Sequence, residues 1–535
     1  MALPQIRRGG TQRTAPVQVP PSIKGINAVT SITNMDPEEC IYSYNILSED
    51  FGMEVRDGYH EWANGWTGGP ARTVITFEGN VDTEDQLWVA NDTGIWNVTP
   101  EGETAPTQEL VWPSTLGNVG ICSYVNFTND GNDRFILLCD GENGYYVWTQ
   151  TTGLWTQGSF SGGSIDVELL DYVMIWKQRV WFVEKNSANA WYLPVNSFSG
   201  VATAFNFGAQ FRFGGSLISM HNWTLDGGVG IDDYLVAISG AGDVAIFQGT
   251  DPAETDFGVV GSWYVGELPA GNRVGTEFSG ELYILSVQGL LPLSRLLNGA
   301  SASDSKTYLT NKVSPYIRPV MDSTLRDFGW HIHVHPKQSL LFVNSPPRGS
   351  QDQLAFTLYL GNMAWSMIRG LTKGHTANWQ GEVYWSDINV NKLFIQRGNV
   401  DKVYIDPETD GEPESIDWST LSSYLQFENQ SLYKRVQYIR PMFVAGSPPS
   451  FNVQAVYDYN IAEVISAASP TQTDTGVWGT STWGGADWAG SAAAADNPRG
   501  ANGMGRHIAI SLRGRSSSAV TFVGHDIAVD QGGMM

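Results

Sequence analysis

The sequence is poor in cysteine, in charged residues and in long apolar runs, and each shortage excludes a class of protein. Three cysteines in 535 residues are too few for a disulfide framework. Charged residues make up 16% of the chain, against about 25% in typical soluble domains, which argues against a coiled coil or a long acidic tail. No run of about 18 apolar residues is present, and the N-terminus has no apolar signal segment. We therefore expect that the protein does not insert into a membrane and that it is made in a reducing cytoplasm.

Basic residues are scarce as well. The chain has 31 Lys and Arg against 55 Asp and Glu, so 31 − 55 gives a formal charge of −24. This balance argues against a conventional nucleic-acid reader, which binds phosphates through basic side chains. Glycine, by contrast, is abundant at 59 residues, and Trp, Tyr and Phe number 20, 21 and 22. Strands and tight turns use these residue types, so the composition predicts an all-β protein.

Hairpin patterns recur along the first four hundred residues. In each unit, a short apolar strand meets a turn of Gly, Asn or Asp, and a strand rich in aromatics follows. Units of roughly 40–50 residues are typical of β-propeller blades, each with four strands. The sequence therefore predicts an irregular β-propeller of six to eight blades, with a large irregular sandwich as the alternative. The units begin near residues 86, 135, 173, 234, 281, 339 and 382.

Changes in composition predict three regions. Residues 1–24 are basic, rich in proline and aperiodic, which indicates an extended N-terminal arm. Residues 25–410 carry the hairpin units and form the expected propeller. An acidic, proline-containing stretch then leads into residues 411–535, which we predict to be a smaller β-sandwich-like domain. Its loop at 470–505 is rich in Gly, Ala and Trp, and its three evenly spaced tryptophans are candidates for a subunit interface: Trp478, Trp483 and Trp488.

A search for catalytic motifs yields none, and we predict that the protein is not an enzyme and needs no cofactor. No lysine follows a glycine, so a phosphate-binding P-loop is excluded. No serine has glycine at both −2 and +2, which excludes a nucleophile elbow. The His60-Glu61 pair has Asn64 at the position where a zinc protease needs its second histidine.

Three alternating histidines are the strongest candidate for a metal site. His331, His333 and His335 would share one face of a strand, and imidazole is a common zinc ligand. Neighbours on one strand face lie about 7 Å apart, however, which is wide for ligands of one tetrahedral ion. We therefore favour a strand with a half-polar face over a metal site.

Two cysteines flank a predicted hairpin turn. The midpoint of Cys122 and Cys139, (122 + 139)/2 = 130.5, lies near the centre of the turn at Asn129–Asp133. A regular hairpin would place the two thiols opposite each other. We predict that both are buried and reduced.

Three segments carry a resemblance to a known family. The first is residues 25–59, the second is residues 213–252, and the third is residues 434–444. The residues that match lie at turns and packing positions, and they are Gly25, Asn27, Pro37, Glu38, Asn45, Arg56, Gly58, Tyr59, Trp223, Asp226, Gly227, Asp232, Asp233, Gly249, Asp251, Pro252, Lys434, Arg440 and Pro441. Together these segments resemble the tail nozzle proteins of short-tailed bacteriophages, also called tail tubular protein B or tail hub proteins.

The resemblance implies a structural role in the virion. Such proteins are propeller-containing subunits of a homohexameric tube below the portal and adaptor rings. The tube carries double-stranded DNA during ejection without specific binding, and tail fibres or spikes attach around it. The resemblance thus implies a tail location after synthesis in the cytoplasm of a host bacterium, and it offers no catalytic residues. The alternative that the aromatic-rich composition leaves open is a carbohydrate-binding or glycan-degrading propeller.

Overall fold

The computed structural model describes residues 16–160, 165–226, 231–347, 353–427, 432–461, 463–467, 493–496 and 498–531. The described residues form two compact units. One is Asp57–Glu414, and the other combines Met1–Arg56 with Ser415–Met535. The predicted boundaries at 24/25 and 410/411 differ from this division, because strands within residues 25–56 pair with C-terminal strands and belong to the same compact unit as they do.

Five short strands come first along the chain. The first four belong to the unit that contains both termini, and the fifth belongs to the unit Asp57–Glu414. They are β1 (Pro16–Val19), β2 (Cys40–Tyr44), β3 (Ile46–Ser48), β4 (Met53–Val55) and β5 (Tyr59–Asn64).

Asp57–Glu414 is a seven-bladed β-propeller, counted over its described residues. Blade 1 contains β6 (Thr73–Phe77), β7 (Gln86–Ala90), β8 (Gly94–Asn97) and β9 (Thr107–Val111). Blade 2 contains β10 (Ser123–Thr128), β11 (Arg134–Cys139), β12 (Tyr145–Thr149) and β13 (Leu154–Gln157). Blade 3 contains β14 (Leu170–Trp176), β15 (Arg179–Glu184), β16 (Asn189–Tyr192) and β17 (Thr203–Asn206). Blade 4 contains β18 (Leu217–Asp226), β19 (Ile231–Ser239), β20 (Asp243–Gln248) and β21 (Gly258–Tyr264).

The last three blades are less regular. Blade 5 contains β22 (Gly275–Phe278), β23 (Glu281–Ser286) and β24 (Gly289–Pro292). Blade 6 contains β25 (His331–His335), β26 (Leu340–Asn344), β27 (Leu354–Tyr359) and β28 (Ala364–Arg369). Blade 7 contains β29 (Lys373–Trp379), β30 (Glu382–Asp387) and β31 (Lys392–Gln396), and its fourth strand is β5. The seven hairpin units predicted from sequence fall in seven different blades. The propeller prediction is therefore confirmed.

Strand β5 closes the ring. It pairs antiparallel with β31, so blade 7 is built from both ends of the propeller sequence. The first strands of successive blades pack against one another from β10 to β29, and β29 packs against β6. Blades 1 and 2 are joined by the hydroxyls of Thr76 and Tyr124, which lie 3.1 Å apart. Apolar clusters fill the space between blades, because each sheet of a propeller buries its faces on its neighbours.

Helices are few and short. The α-helices are α1 (Ser294–Leu297), α2 (Ser314–Thr324) and α3 (Pro407–Asp410). The 3₁₀ segments are Ile32–Asn34, Asp82–Glu84, Val167–Leu169, Gly208–Gln210, Ser305–Thr307, Leu309–Val313 and Pro336–Gln338. Over the residues that the structure describes, no helix has the length and apolar character needed to cross a membrane.

The second unit is a β-sandwich, as the sequence predicts for the C-terminal region. Its remaining strands follow β32 (Val400–Asp401) of the propeller unit and are β33 (Glu414–Ser422), β34 (Lys434–Ala445), β35 (Ser450–Tyr457), β36 (Ala493–Asp496), β37 (Arg499–Gly500), β38 (Ile508–Ser516) and β39 (Val520–Gln531). One sheet contains β2, β33, β38 and β35, and the other is built around β34 and β39 with β1, β3, β4, β36 and β37. Trp418, Phe443, Leu512 and Phe522 lie in the core between the sheets.

The N-terminal arm is part of this sandwich where it is described. Strand β1 pairs antiparallel with β39, with Pro16 opposite Ala528 and Val19 opposite His525. An extended, proline-rich segment can form such an edge strand because only one side of it has to donate hydrogen bonds. The rest of the predicted arm, residues 1–15, lies outside the described residues.

Candidate functional site

The residues that match the nozzle family, called the resemblance residues below, lie in three segments. Those of the first segment hold together the backbone at the start of the sandwich. Asn27 is buried, and its Nδ2 donates to Glu39 Oε2 at 2.8 Å while its Oδ1 accepts the backbone N–H of Thr30 at 3.1 Å. Gly25 has a φ of 71°, and its carbonyl accepts the backbone N–H of Cys40 at 2.9 Å. Pro37 is exposed, and Glu38 forms an ion pair with Lys24 at 2.8 Å.

Asn45 and Arg56 connect sequence-distant parts of the same unit. Asn45 has a left-handed backbone with a φ of 58°, and its Nδ2 donates to the carbonyl of Asp417 at 2.8 Å. Arg56 is buried, and its Nε donates to Asn45 Oδ1 at 3.2 Å. These contacts fix the turn between β2 and β3 against strand β33, which begins more than 350 residues later.

Gly58 and Tyr59 begin the propeller. Gly58 donates its N–H to the carbonyl of Gly398 at 2.8 Å, and a Cβ at this position would overlap the carbonyl of Val400. The ring of Tyr59 packs edge-on against Trp385 at 5.3 Å, in blade 7. Both residues therefore seat β5 in its closing position.

The resemblance residues of the central block belong to blade 4. Trp223 is buried, and its indole Nε1 donates to the carbonyl of Gly280 at 3.1 Å. Asp233 pairs with Lys177 at 3.0 Å, and this contact holds the pKa of the carboxyl below its usual range although partial burial acts against it. Asp226 and Asp232 lie in β18 and β19 near the hairpin turn, and Gly227 lies outside the described residues.

The end of that block is a turn after β20. Gly249 has a φ of 127°, and a Cβ there would meet the Cα of Phe257. Asp251 forms an ion pair with Arg179 and accepts the backbone N–H of Ala253 at 3.0 Å, and Pro252 follows it in the turn.

The resemblance residues of the third segment lie on β34 in the sandwich. Lys434 is buried, and its Nζ donates to the carbonyls of Leu432 at 3.2 Å and Arg506 at 3.0 Å. Burial lowers the pKa of this lysine. Arg440 Nη1 lies 3.9 Å from a carboxylate oxygen of Asp526, and Pro441 is opposite His525. The candidate interface residues Trp478, Trp483 and Trp488 lie outside the described residues.

The three alternating histidines take part in different contacts. The predicted strand is present as β25, and all five of its residues are buried because this first strand of blade 6 lies between β22 and β29. The ring of His331 stacks on His375 at 4.8 Å, that of His333 stacks on Phe342 at 5.0 Å, and His335 lies 3.1 Å from Gln338 Oε1. In the described part of the chain, no group of three His, Cys, Asp or Glu side chains is placed to hold a metal ion.

The predicted pairing of Cys122 with Cys139 is wrong by one residue. Cys139 is opposite Ser123, and Cys122 precedes β10. Because a shift of one residue reverses the face of a strand, Cys122 packs between blades 1 and 2 while Cys139 packs between blades 2 and 3. Both thiols are free and buried, and burial raises the pKa of each.

A cavity lies where the first strands of several blades begin. Its volume is about 280 Å³. Apolar groups such as Ile121, Phe328 and Trp330 line much of it, and charged or polar groups complete the wall. Those polar groups come from blades 1, 5, 6 and 7 and their connections, and they are Arg72, Asp92, Asn118, Arg273, His331, Gln353, Lys373 and His375. Sequence reasoning missed Arg273, Lys373 and His375, because no local motif marks residues that converge from separate blades.

Arg273 connects blades across this end of the propeller. Its Nη1 donates to the carbonyl of Arg72 at 2.9 Å, and its Nη2 donates to Thr73 Oγ1 at 2.6 Å. Its own carbonyl accepts the backbone N–H of Ile332 at 3.2 Å. Neighbouring Asn272 donates to the carbonyl of Asp171 at 3.1 Å. One short segment before β22 thus contacts three other parts of the ring, at blades 1, 3 and 6.

His375 has a defined tautomer. Its Nδ1 accepts the backbone N–H of Val74 at 3.1 Å, so a neutral ring must carry its proton on Nε2. Burial, and then the nearby charge of Arg273, lower the pKa of His375, and they lower that of His331 to about 3. Both imidazoles are therefore neutral at pH 7, and Nε2 of His375 is a hydrogen-bond donor.

His525 in the sandwich predicts acid sensitivity. It is buried, and burial lowers its pKa to about 3, whereas an unfolded histidine titrates near 6.5. Between these two pKa values the unfolded state binds one more proton than the folded state. The contribution of His525 to the free energy of unfolding is therefore fully present above pH 6.5 and falls as the pH decreases towards 3. We expect about 2 kcal/mol to be lost between pH 7 and pH 5 from this residue. In His525→Phe this loss disappears, as measured by hydrogen exchange of amides in β34 and β39. An unchanged pH dependence in the variant would contradict the assignment.

Comparisons with known proteins give no family assignment. No family model matches the chain, and no curated protein matches it. Among solved structures, the chain is similar to the extracellular domain of a putative hybrid two component system, BT3049, from B. thetaiotaomicron, at 10% identity and a TM-score of 0.41, with 76% of this chain and 56% of that chain covered. The chain therefore spans just over half of that protein. It is also similar to the Myceliophteria thermophila Cps50 (Swd1) β-propeller domain, at 11% identity and a TM-score of 0.36, with 62% of this chain and 97% of that chain covered.

Proposed function

We propose that the protein is a structural subunit of the tail of a short-tailed bacteriophage, a nozzle that forms a homohexameric tube below the portal and adaptor and conducts DNA during ejection. The observation that carries the proposal is the kind of position that the resemblance residues occupy. Asn27, Asn45, Arg56 and Gly58 fix backbone between distant segments, and Trp223 and Lys434 are buried with their polar atoms bonded to carbonyls. A shared set of framework residues is what a family with a structural role would retain.

The charge of the chain is compatible with a conduit for DNA. A hexamer would carry 6 × −24 = −144 formal charges. Acidic groups facing the lumen would repel phosphate, so that DNA slides through without binding. Fibres or spikes, the portal and the adaptor are the partners that this role requires.

An exposed strand edge supports assembly. Strand β21 is the last strand of blade 4, and it carries Val259, Val260 and Tyr264, which are each more than 40% exposed. The ring of Phe213 packs against that of Tyr264 at a centroid distance of 4.2 Å and an interplanar angle of 40°, and Phe213 is 61% exposed. Apolar side chains on an unpaired edge are typical of surfaces that contact another subunit.

The mass of the purified protein in solution tests the proposal. One chain has a mass of 58.6 kDa, so a hexamer has 6 × 58.6 = 351.6 kDa. We expect a species of this mass by mass photometry, and we expect Val260→Lys to reduce its population because it places a charge on the β21 edge. Val201→Lys, at a valine that is also exposed, is the matched control. A monomer that binds or cleaves polysaccharide would favour the carbohydrate-binding alternative.

A further inference from the structure

We propose that the cavity at the start of the propeller's inner strands is a binding site for a small organic acid, a carboxylate or phosphate group joined to a flat apolar body. The cavity has a volume of about 280 Å³, which suits a small ligand rather than a single water or ion. The proposal is independent of the nozzle function, since it concerns only the residues of one propeller.

The charge of the lining is opposite to that of the chain. Among the described residues that line the cavity, three are cationic, Arg72, Arg273 and Lys373, and one is a carboxylate, Asp92. Asp92 is already paired, because Arg72 Nη2 donates to its Oδ2 at 3.0 Å. In a chain with a net charge of −24, this cavity thus carries an excess of positive charge. Such an excess attracts anions into a concave site.

Arg273 supplies one of these positive charges. Its Nη1 and Nη2 donate to neutral oxygens only, and within the described residues no carboxylate lies within 4 Å of its guanidinium. The carboxyl group that acts on the pKa of Arg273 is that of Asp171, which makes no hydrogen bond to the guanidinium. Burial lowers the pKa of Arg273 to about 10, so the side chain remains charged at pH 7. A partly buried cation without an adjacent anionic partner loses some of its hydration, and a bound anion offsets that cost.

The histidines supply a directed donor. Nε2 of His375 carries a proton because Nδ1 accepts from Val74, and Nε2 makes no hydrogen bond to any described residue. The ring of His375 stacks on that of His331 with an interplanar angle of 7°, which fixes its orientation. A ligand oxygen can therefore accept from His375 while it faces the charge of Arg273.

The apolar part of the cavity wall favours a ligand with an apolar body attached to its acid group. Pro70, Phe328, Trp330, Pro346 and Ile388 line the cavity beside the polar groups. Inorganic anions gain nothing from such a surface, whereas a flat ring attached to the acid group buries apolar area against it. The combination of charge, one fixed donor and apolar wall therefore favours an aromatic or similarly flat acid.

Titration of the full chain with benzoate and its neutral isostere benzamide tests the site. By isothermal titration calorimetry at low salt, we expect benzoate to bind at least about fivefold more tightly than benzamide, and phenyl phosphate to compete with it. Equal binding of benzoate and benzamide, or no benzoate binding up to about 10 mM, would overturn the proposal.

Charge variants locate the binding at this cavity. Arg273→Gln keeps hydrogen-bond donors but removes the charge, and we expect it to weaken benzoate binding at least about fivefold. Asp92→Asn, at a half-exposed residue that should not affect folding, is expected to tighten it because a carboxylate of the lining is lost. Lys337→Gln removes a mostly exposed cation outside the cavity and serves as the control. If Asp92→Asn leaves the dissociation constant unchanged while Lys337→Gln alters it, the site lies elsewhere.

Discussion

Replacing Gly58 by alanine is expected to prevent stable folding of the propeller. The alanine Cβ would overlap the backbone carbonyl of Val400, and a backbone atom cannot rotate away as a side chain can. Gly58 also exchanges backbone hydrogen bonds with the segment after β31, at 2.8 Å to Gly398 and 3.1 Å from Arg397, so a shift would break the pairing that seats β5. We expect a destabilisation of about 4 kcal/mol or more, seen as loss of the cooperative transition in urea followed by far-UV circular dichroism.

Gly258→Ala is the matched control for this substitution. Gly258 lies on the exposed edge strand β21, and a Cβ there would meet no atom within 4 Å. Its alanine variant should unfold within about 0.5 kcal/mol of the parent protein. A folded Gly58→Ala variant with unchanged stability would show that β5 does not pass so closely to Val400.

Removing the side chain of Trp62 should strongly weaken the closure of the ring. This tryptophan is on β5, is 7% exposed, and donates its indole Nε1 to the carbonyl of Val98 at 2.8 Å. Its ring packs edge-on against Tyr384 at 5.0 Å and Trp379 at 5.9 Å, in the core between blades 7 and 1. Truncation of a buried tryptophan to alanine costs about 3–5 kcal/mol, because a cavity remains.

Calorimetry distinguishes this effect from a general loss of aromatic surface. Trp62→Ala should lower the unfolding temperature of the propeller by several degrees, whereas Phe213→Ala, at an aromatic residue that is 61% exposed, should leave it nearly unchanged. Trp62→Phe should fall between them, because it keeps part of the apolar contact but loses the hydrogen bond to Val98. Equal midpoints for Trp62→Ala and Phe213→Ala would contradict a closing role for β5.

The local part of the fold could be read from the sequence. The hairpins that begin near 86, 135 and 234 pair strands separated only by a turn, and hydrophobic alternation with Gly, Asn or Asp at the turn specifies such pairing. For the same reason the number of units matched the number of blades. The turn residues do not specify the register to one residue: Cys139 is opposite Ser123, and this shift reverses the face of Cys122.

The non-local part could not be predicted. Strand β5 joins β31 across more than 320 residues of chain, and β2 joins β33 across a comparable distance, with no pattern in either segment that names its partner. Arg273 lies in a Gly-rich segment that resembles an ordinary turn, yet it contacts blades 1 and 2. The cavity depends on the same convergence, so His375 and Lys373 became candidates only when the blades were assembled in space.

Imaging of the assembled protein tests the nozzle proposal most directly. We predict that electron micrographs of the purified chain, and of the tails of particles that contain it, give class averages with six-fold symmetry around an open axial channel wide enough for duplex DNA. Six copies of a −24 subunit around that channel would provide the acidic surroundings that let DNA pass. A protein that stays monomeric, is absent from tail particles and binds or degrades polysaccharide would contradict the nozzle function.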